Sequence, residues 1–240
     1  MSHIEPRMAS VLKTESKPSN FCPGCGYGII LKVLGEVIEE MGIAPRTVFG
    51  IDIGCNLLAW DYFDLDTAQS HHGRVTPFIA GYKLAQKESV AIGIAGDGGL
   101  YAIGLQSLIH TAHRNEAVSI IGVNNTVYAM TGGQSSPTTL SHEVTTTTPE
   151  GKFTSDNPIH GPEMLLNVAA EGAFLARASV NNIPLMKSYM KKAIEAQLKG
   201  NFALLEIISY CPTNWKTDAA ATIDFSKNLE TVYPVGVFRG

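Results

Sequence analysis

Two stretches of the chain, SVAIGIAGD (89–97) and AVSIIGVNN (117–125), hold apolar runs, the first polar only at its ends and the second interrupted only by Ser119 before its terminal asparagines. A strand with one wet face alternates apolar and polar side chains, whereas a strand covered on both faces reads as a continuous run. Between them, LYAIGLQSLIHTAHRN (100–115) spaces its apolar residues at helical period. Buried strand, helix, buried strand is the mark of a parallel sheet with helices on its faces. The alternation continues elsewhere. IILKVLGEVIEEMG (29–42) predicts a helix closed by Gly42, TVFGIDIG (47–54) a buried strand, and TPFIAGYKLAQKE (76–88) a helix. IPLMKSYMKKAIEAQLKG (183–200) predicts a helix and FALLEIIS (202–209) a strand. The expected class is α/β with a mostly parallel, doubly wound sheet. A single domain over 1–240 is expected, with no internal repeat.

The segment 126–162 breaks this rhythm. It has no clear period and is rich in Thr, Ser, Gly and Pro. Loops this long are usually functional or disordered, so a binding loop ordered by a cofactor or a partner chain is expected. A formal charge of −4 with no Lys/Arg-rich run argues against a nucleic-acid partner. The first twenty residues are polar and lack the apolar core of a signal peptide. No apolar run approaches the roughly 20 residues that cross a bilayer. A cytoplasmic protein without membrane contact is expected. In that reducing compartment a disulfide framework is not expected. The four cysteines, Cys22, Cys25, Cys55 and Cys211, are then free thiols, redox pairs or metal ligands.

The sharpest motif is Gly96-Asp97-Gly98, followed by Asn124-Asn125. Each lies at the carboxyl end of a buried strand, where parallel α/β sheets bind ligands. Asp97 and Asn125 offer hard oxygen donors suited to Mg²⁺. Gly96, Gly98 and Gly99 allow backbone N–H groups to approach an anion at a helix N-terminus. Together they describe a magnesium-bridged diphosphate site. Alone, the tripeptide is a common turn in which Asp97 serves as an N-cap.

The motif resembles that of thiamine diphosphate enzymes. The wider text is more specific: CPGCG, IGC, HHGR, GDGG, HRNEAVSIIGVNN and YAMTGGQSSPTT occur in this order in the β subunits of 2-oxoacid:ferredoxin oxidoreductases. The resemblance runs from about Phe21 to Thr139 and resumes at Cys211-Pro212. It implies a thiamine diphosphate-binding fold, with Mg²⁺ held by Asp97, Asn125 and the Val127 carbonyl. It places Ile53, Gly54, Cys55, Asn56, His71, His72, Gly73, Ala129 and Met130 at the cofactor. It also implies that Cys22, Cys25, Cys55 and Cys211 ligate one [4Fe–4S] cluster. A C-x-x-C turn and a Cys-Pro pair suit such ligation. A structural Cys₄ zinc site would use the same side chains, and Cys55 or Cys211 could be ordinary buried thiols.

What the resemblance implies about activity is oxidative decarboxylation of a 2-oxo acid to an acyl-coenzyme A, with electrons passing singly through the cluster to ferredoxin. The same parts serve reductive carboxylation. The activating Glu and much of the coenzyme A site are expected on an α subunit. A γ subunit and a ferredoxin-like δ subunit, or fused equivalents, complete the expected assembly. The competing readings are a non-redox thiamine diphosphate decarboxylase or carboligase with zinc, and a scaffold that binds no cofactor.

His72 is the candidate for proton transfer; a plain positioning loop is the alternative. His110 and His113 stand three apart on the predicted helix and are read as packing or contact residues. Asp61, Asp64 and Asp66 are read as solvated carboxylates around Trp60, Tyr62 and Phe63. In TGGQSSPTT (131–139) the glycines permit close approach and the hydroxyls suit phosphate or carboxylate. Leu58 and Met130 hint at an apolar pocket, hence a branched-chain or aryl 2-oxo acid.

Overall fold

The computed structural model describes residues 8–13, 19–151 and 157–240. Residues 1–7 and 14–18 of the polar N-terminal stretch, and 152–156 of the long loop, lie outside the described residues. A seven-stranded sheet has the order β2-β1-β3-β4-β8-β7-β9. Its strands are β1 (Thr47–Ile51), β2 (Asp66–Gln69), β3 (Val90–Gly96), β4 (Ser119–Asn124), β7 (Phe174–Ser179), β8 (Ala203–Ile208) and β9 (Gly236–Arg239). All neighbours are parallel except β9, which runs antiparallel to β7. A two-stranded antiparallel ribbon, β5 (Val127–Tyr128) and β6 (Gln134–Ser135), stands apart.

The expected mostly parallel sheet is present, and its central strands β1, β4, β7 and β8 are buried at every position. One face is covered by α1 (Tyr27–Glu40) and α5 (Ile183–Leu198), the other by α2 (Val75–Ala85), α3 (Leu105–His113) and α4 (Gly161–Leu165). Helix α1 buries Ile30, Leu31, Leu34 and Ile38, one stripe at 3–4 residue spacing. Lys187 of α5 reaches Glu36 and Glu40 of α1 at 2.8 and 2.7 Å. Asn182 caps α5, its Oδ1 accepting from Leu185 N at 3.1 Å. Gly50 and Gly93 face each other on β1 and β3. A Cβ at Gly50 would lie 2.4 Å from Ile79 Cγ2, so their bareness lets α2 press onto the sheet.

The register explains the site. Ile51 pairs with Ile94, Gly96 with Val123, and Asn124 with Ile208. Residues 52–56, 97–99, 125–127 and 209–211 therefore leave the sheet along one edge. From β1 the chain goes first to β2 on one side and then to β3 on the other, a switch in direction that opens a crevice at the carboxyl ends.

Several elements differ from expectation. The strand predicted for 47–54 stops at Ile51, and Cys55–Ala59 forms a 3₁₀ turn. Gly54 at φ +145° makes that break possible. The helix predicted for 100–115 opens with a π-helical turn (Gly99–Ile103) before α3. There Gly104 N–H donates to Gly99 O at 2.9 Å, five residues back. The aperiodic stretch 126–162 contains β5, β6 and the start of α4, pieces too short to show a period. Strands β2, β7 and β9 were not expected, nor was α7 (Ala219–Val232). Asp61, Asp64 and Asp66 are exposed, the last on β2. Phe63 is buried and meets Phe49 edge-on at 5.0 Å, while Trp60 stays 61% exposed.

Candidate functional site

A cavity of about 400 Å³ opens at the carboxyl ends of β1, β3 and β4. That size lies within the range of small-molecule sites. The loop after β1 contributes Ile53, Gly54, Cys55 and Asn56, and His72 closes one rim. Gly96, Asp97, Gly98 and Gly99 line it from the end of β3. Asn125, Val127, Ala129 and Met130 line it from the β4 side. These predicted residues therefore meet in one place. His71 is exposed, and Gly73 and Leu58 also lie outside the cavity wall. Leu58 is half-buried and packs against the core.

Asp97 is buried, and its Oδ2 accepts from Ser136 Oγ at 2.6 Å and from Thr138 Oγ1. Burial pushes its carboxyl up to about 6, against the pull of those two hydroxyls and of Gly98 N–H. A divalent cation beside it would restore the charged form. Asn125 Oδ1 accepts from Val127 N at 3.3 Å. Between them Thr126 takes φ +63°, a conformation β-branched residues avoid. Its Oγ1 donates to Glu143 Oε1 at 2.6 Å, and its carbonyl accepts from Thr139 Oγ1. The acid, the amide and the intervening turn are thus clamped by the long loop. Hard oxygens and a buried carboxyl in need of a counter-charge fit Mg²⁺.

The glycines form a tight cradle. A Cβ at Gly98 would lie 2.1 Å from the Tyr128 ring, and one at Gly99 would lie 2.1 Å from Asp52 Oδ2. Asp52, not anticipated from the sequence, is fully buried at the end of β1. Its Oδ1 accepts from Gly73 N at 2.8 Å, while Oδ2 has no hydrogen-bond partner. Burial pushes it up to about 6, with backbone N–H groups and His72 acting the other way. The signal was present: GID ends β1 in an Asp much as IAGD ends β3. The bare glycine backbone of 96, 98 and 99 in the cavity wall, beside Asp97 and Asn125, fits the diphosphate of a ligand such as thiamine diphosphate.

Cys55 and Cys211 leave the same edge of the sheet, and the turn holding Cys22 and Cys25, which precedes α1, docks against it. Cys25 N–H donates to Cys22 O at 3.0 Å, closing the C-x-x-C turn. Gly26 N–H donates to Tyr210 O at 3.2 Å, which docks that turn beside Cys211. A Cβ at Gly24 would touch Pro212 at 3.3 Å. Burial raises Cys55 to about 12 and Cys25 to about 11, and the neighbouring thiols add to both shifts. Four thiols that repel one another's charge are a natural place for a cationic centre. Among the described residues, no three His, Cys, Asp or Glu side chains close on one point as a single ion requires. Four thiolate donors suit an iron–sulfur cluster by their chemistry, as they would a structural zinc.

His110 and His113 lie on α3, outside this cavity, with His113 Nδ1 at 3.3 Å from Val168 O. A second unforeseen feature underlies the site. Glu206, fully buried on β8, accepts from Arg177 Nε, Asn124 Nδ2 and Tyr101 Oη at 3.0, 3.0 and 2.7 Å. Arg177 also forks onto Glu163 of α4 at 2.7 and 2.6 Å. The network ties the end of β4 to the π-helical turn and to α4. No helix is long and apolar enough to cross a membrane among the described residues.

Residues 52–207 match the family described as thiamine pyrophosphate enzyme, C-terminal TPP binding domain. The ketoisovalerate oxidoreductase subunit VorA of Methanothermobacter thermautotrophicus is 40% identical over 92% of this chain. The chain spans about half of that relative, 48% of its length. The 2-oxoglutarate synthase subunit KorB of Methanocaldococcus jannaschii is 36% identical over 84% of this chain and 73% of its own. Among solved structures, a 2-oxoglutarate:ferredoxin oxidoreductase from Magnetococcus marinus, with 2-oxoglutarate, coenzyme A and succinyl-CoA bound, superposes with a TM-score of 0.79. It is 27% identical and is matched over 95% of this chain and 75% of its own.

Proposed function

Because the chain belongs to the thiamine pyrophosphate enzymes, and within them to the 2-oxoacid oxidoreductase subunits, we propose that it carries the thiamine diphosphate and cluster half of a 2-oxoacid:ferredoxin oxidoreductase. The reaction would join a 2-oxo acid and coenzyme A into an acyl-coenzyme A, release CO₂ and pass two electrons singly to ferredoxin. The observation that carries this reading is the shared edge: Asp97, Asn125 and Cys55 line one cavity, and the C-x-x-C turn docks beside Cys211 just behind it.

In this reading Asp97 and Asn125 side chains and the Val127 carbonyl hold Mg²⁺, and backbone N–H groups of the Gly98–Gly99 turn face the diphosphate. Thiamine diphosphate, when bound, supplies the carbon nucleophile and the electron sink for decarboxylation. His72 stands at the rim with a ring able to hold or pass a proton there. Tyr27 stacks on Phe21 at 5.1 Å, and its Oη lies 3.4 Å from Asn56 Oδ1, so the wall between cavity and cysteine turn is packed rather than wet. A [4Fe–4S] cluster on Cys22, Cys25, Cys55 and Cys211 supplies a one-electron acceptor. The activating Glu, the rest of the coenzyme A site and the ferredoxin-like module belong to partner subunits, in keeping with relatives named as subunits.

For the substrate, Met130 and Ile103 give the mouth an apolar side, which favours a branched-chain or aryl 2-oxo acid; Leu58 does not add to it. The test is coenzyme A-dependent reduction of ferredoxin by the anaerobically purified complex, comparing 2-oxoisovalerate, 2-oxoglutarate and pyruvate. Turnover with 2-oxoisovalerate foremost is expected. A preference for 2-oxoglutarate would overturn the substrate reading, and ferredoxin-independent decarboxylation the function itself.

A further inference from the structure

Asn214 stands where the two halves of the site meet. It lies in the short helix α6 (Pro212–Trp215), three residues after Cys211. Its Nδ2 lies 3.3 Å from Cys211 Sγ and 3.1 Å from Ala129 O. Both partners are acceptors, so the amide nitrogen must face them and donates to both. Ala129 lines the cavity. One side chain therefore joins a cysteine sulfur to the cavity wall.

The surroundings hold this amide in place. Gly133, at φ +80°, backs onto it, and a Cβ there would come within 2.9 Å of Oδ1. Trp215, the next residue, donates from its backbone N to Cys211 O and from Nε1 to Asn125 O, each at 3.0 Å. The helix is thus pinned between the sulfur and the β4 end. An N–H group aimed at a cluster sulfur favours the more electron-rich, reduced cluster and raises its potential.

We propose that Asn214 is a positioning residue that sets the reduction potential of the cluster held through Cys211 and fixes that ligand against the Ala129 wall of the cofactor cavity. This rests on the reading that the four cysteines hold an iron–sulfur cluster. No proton moves in the step at issue: the cluster gains one electron and the amide keeps both N–H bonds.

The test is an EPR-monitored titration with dithionite of the anaerobically purified complex, in wild type, Asn214→Ala and Asn214→Asp. Asn214→Ala lowers the midpoint by up to tenfold in the one-electron equilibrium, about 59 mV. Asn214→Asp, which replaces a donor by a charge, lowers it further. Thr213→Ala, an exposed neighbour, leaves it unchanged. Midpoints in both Asn214 variants equal to wild type overturn the inference. A second measurement needs no variant. Pulsed EPR of the reduced wild-type complex grown on asparagine labelled with ¹⁵N at the side-chain amide alone, since the Asn214 backbone N–H also bonds Cys211, shows a nitrogen coupling to the cluster, and its absence overturns the proposal. Asn56 does not confuse this result, since its Nδ2 donates to Asp52 O and Ile94 O. A wild-type complex without iron overturns the cluster reading as well, whereas an intact cluster with unmoved midpoints overturns the role of Asn214 alone.

Discussion

Glu143→Ala asks whether the long loop builds the metal site or merely covers it. Thr126 sits between Asn125 and Val127 at φ +63°, which costs a β-branched residue about 1–2 kcal/mol. The structure offsets that strain with hydrogen bonds: Thr126 N–H to Asn124 Oδ1 at 3.1 Å and Thr126 Oγ1 to Glu143 Oε1 at 2.6 Å. The second is made to a carboxylate, a class contributing about 1.5–3 kcal/mol. Glu143 Oε2 meanwhile accepts from Leu140 N at 2.9 Å and so anchors the bond to the loop. Truncating Glu143 removes the charged one of these offsets, leaves Thr126 Oγ1 only Asn125 O at 2.7 Å as an acceptor, and lets the turn relax away from the geometry that aims Asn125 and Val127. If the whole loss falls on the site, affinity for thiamine diphosphate at fixed Mg²⁺ drops roughly ten- to hundredfold, at 1.4 kcal/mol per decade. Glycine tolerates positive φ without that cost. The double variant Glu143→Ala/Thr126→Gly should therefore recover about tenfold over Glu143→Ala, by the same strain of 1–2 kcal/mol. Trp215, hydrogen-bonded to Asn125 O, is a built-in fluorescence reporter for the titration. Unchanged binding in Glu143→Ala, or no recovery in the double variant, refutes the reasoning.

Two further outcomes follow from buried charges. The Asp52 carboxyl is raised from 3.8 to about 6 in the folded chain, so folding favours its protonated form. That contribution is present below pH about 4 and is lost as pH rises through about 6, a swing of up to about 3 kcal/mol. Asp52→Asn should gain stability relative to wild type between pH 4.5 and 7 in urea unfolding of the ligand-free protein, and a pH-independent difference would count against it. Arg177→Ala strands Glu206 in the core without its cation and should cost about 3–5 kcal/mol in the same assay; a loss under 1 kcal/mol would show that the network relaxes freely.

The sheet was legible wherever the strands come close to continuous apolar runs, as β3 and β4 do, and as β8 does with the single interruption of Glu206. Strand β7 was not, because FLARAS carries an arginine through the core, and nothing in a local window shows that Glu163 and Glu206 wait to neutralise it. Strand β2 hid for the opposite reason: DTAQ is a polar edge strand held only by pairing with β1. Within the site, the strand-end residues Asp97, Asn125 and Cys55 could be read, because position at the end of a run is a sequence property. The roles of Thr126, Glu143 and Asn214 could not, since each depends on a contact between segments 17 to 85 residues apart. Leu58 shows the limit of chain proximity: three residues after Cys55, it lies outside the cavity wall, half-buried against the core cluster.

The most direct test of the shared edge is a count of metals and cofactor in the complex purified without oxygen, beside a Cys211→Ser variant. The account predicts roughly four irons per chain, by Cys₄ cluster stoichiometry, together with bound thiamine diphosphate and Mg²⁺, and a variant that sheds iron while keeping the thiamine. Zinc in place of iron, or a wild-type chain that holds neither iron nor thiamine diphosphate, would contradict it.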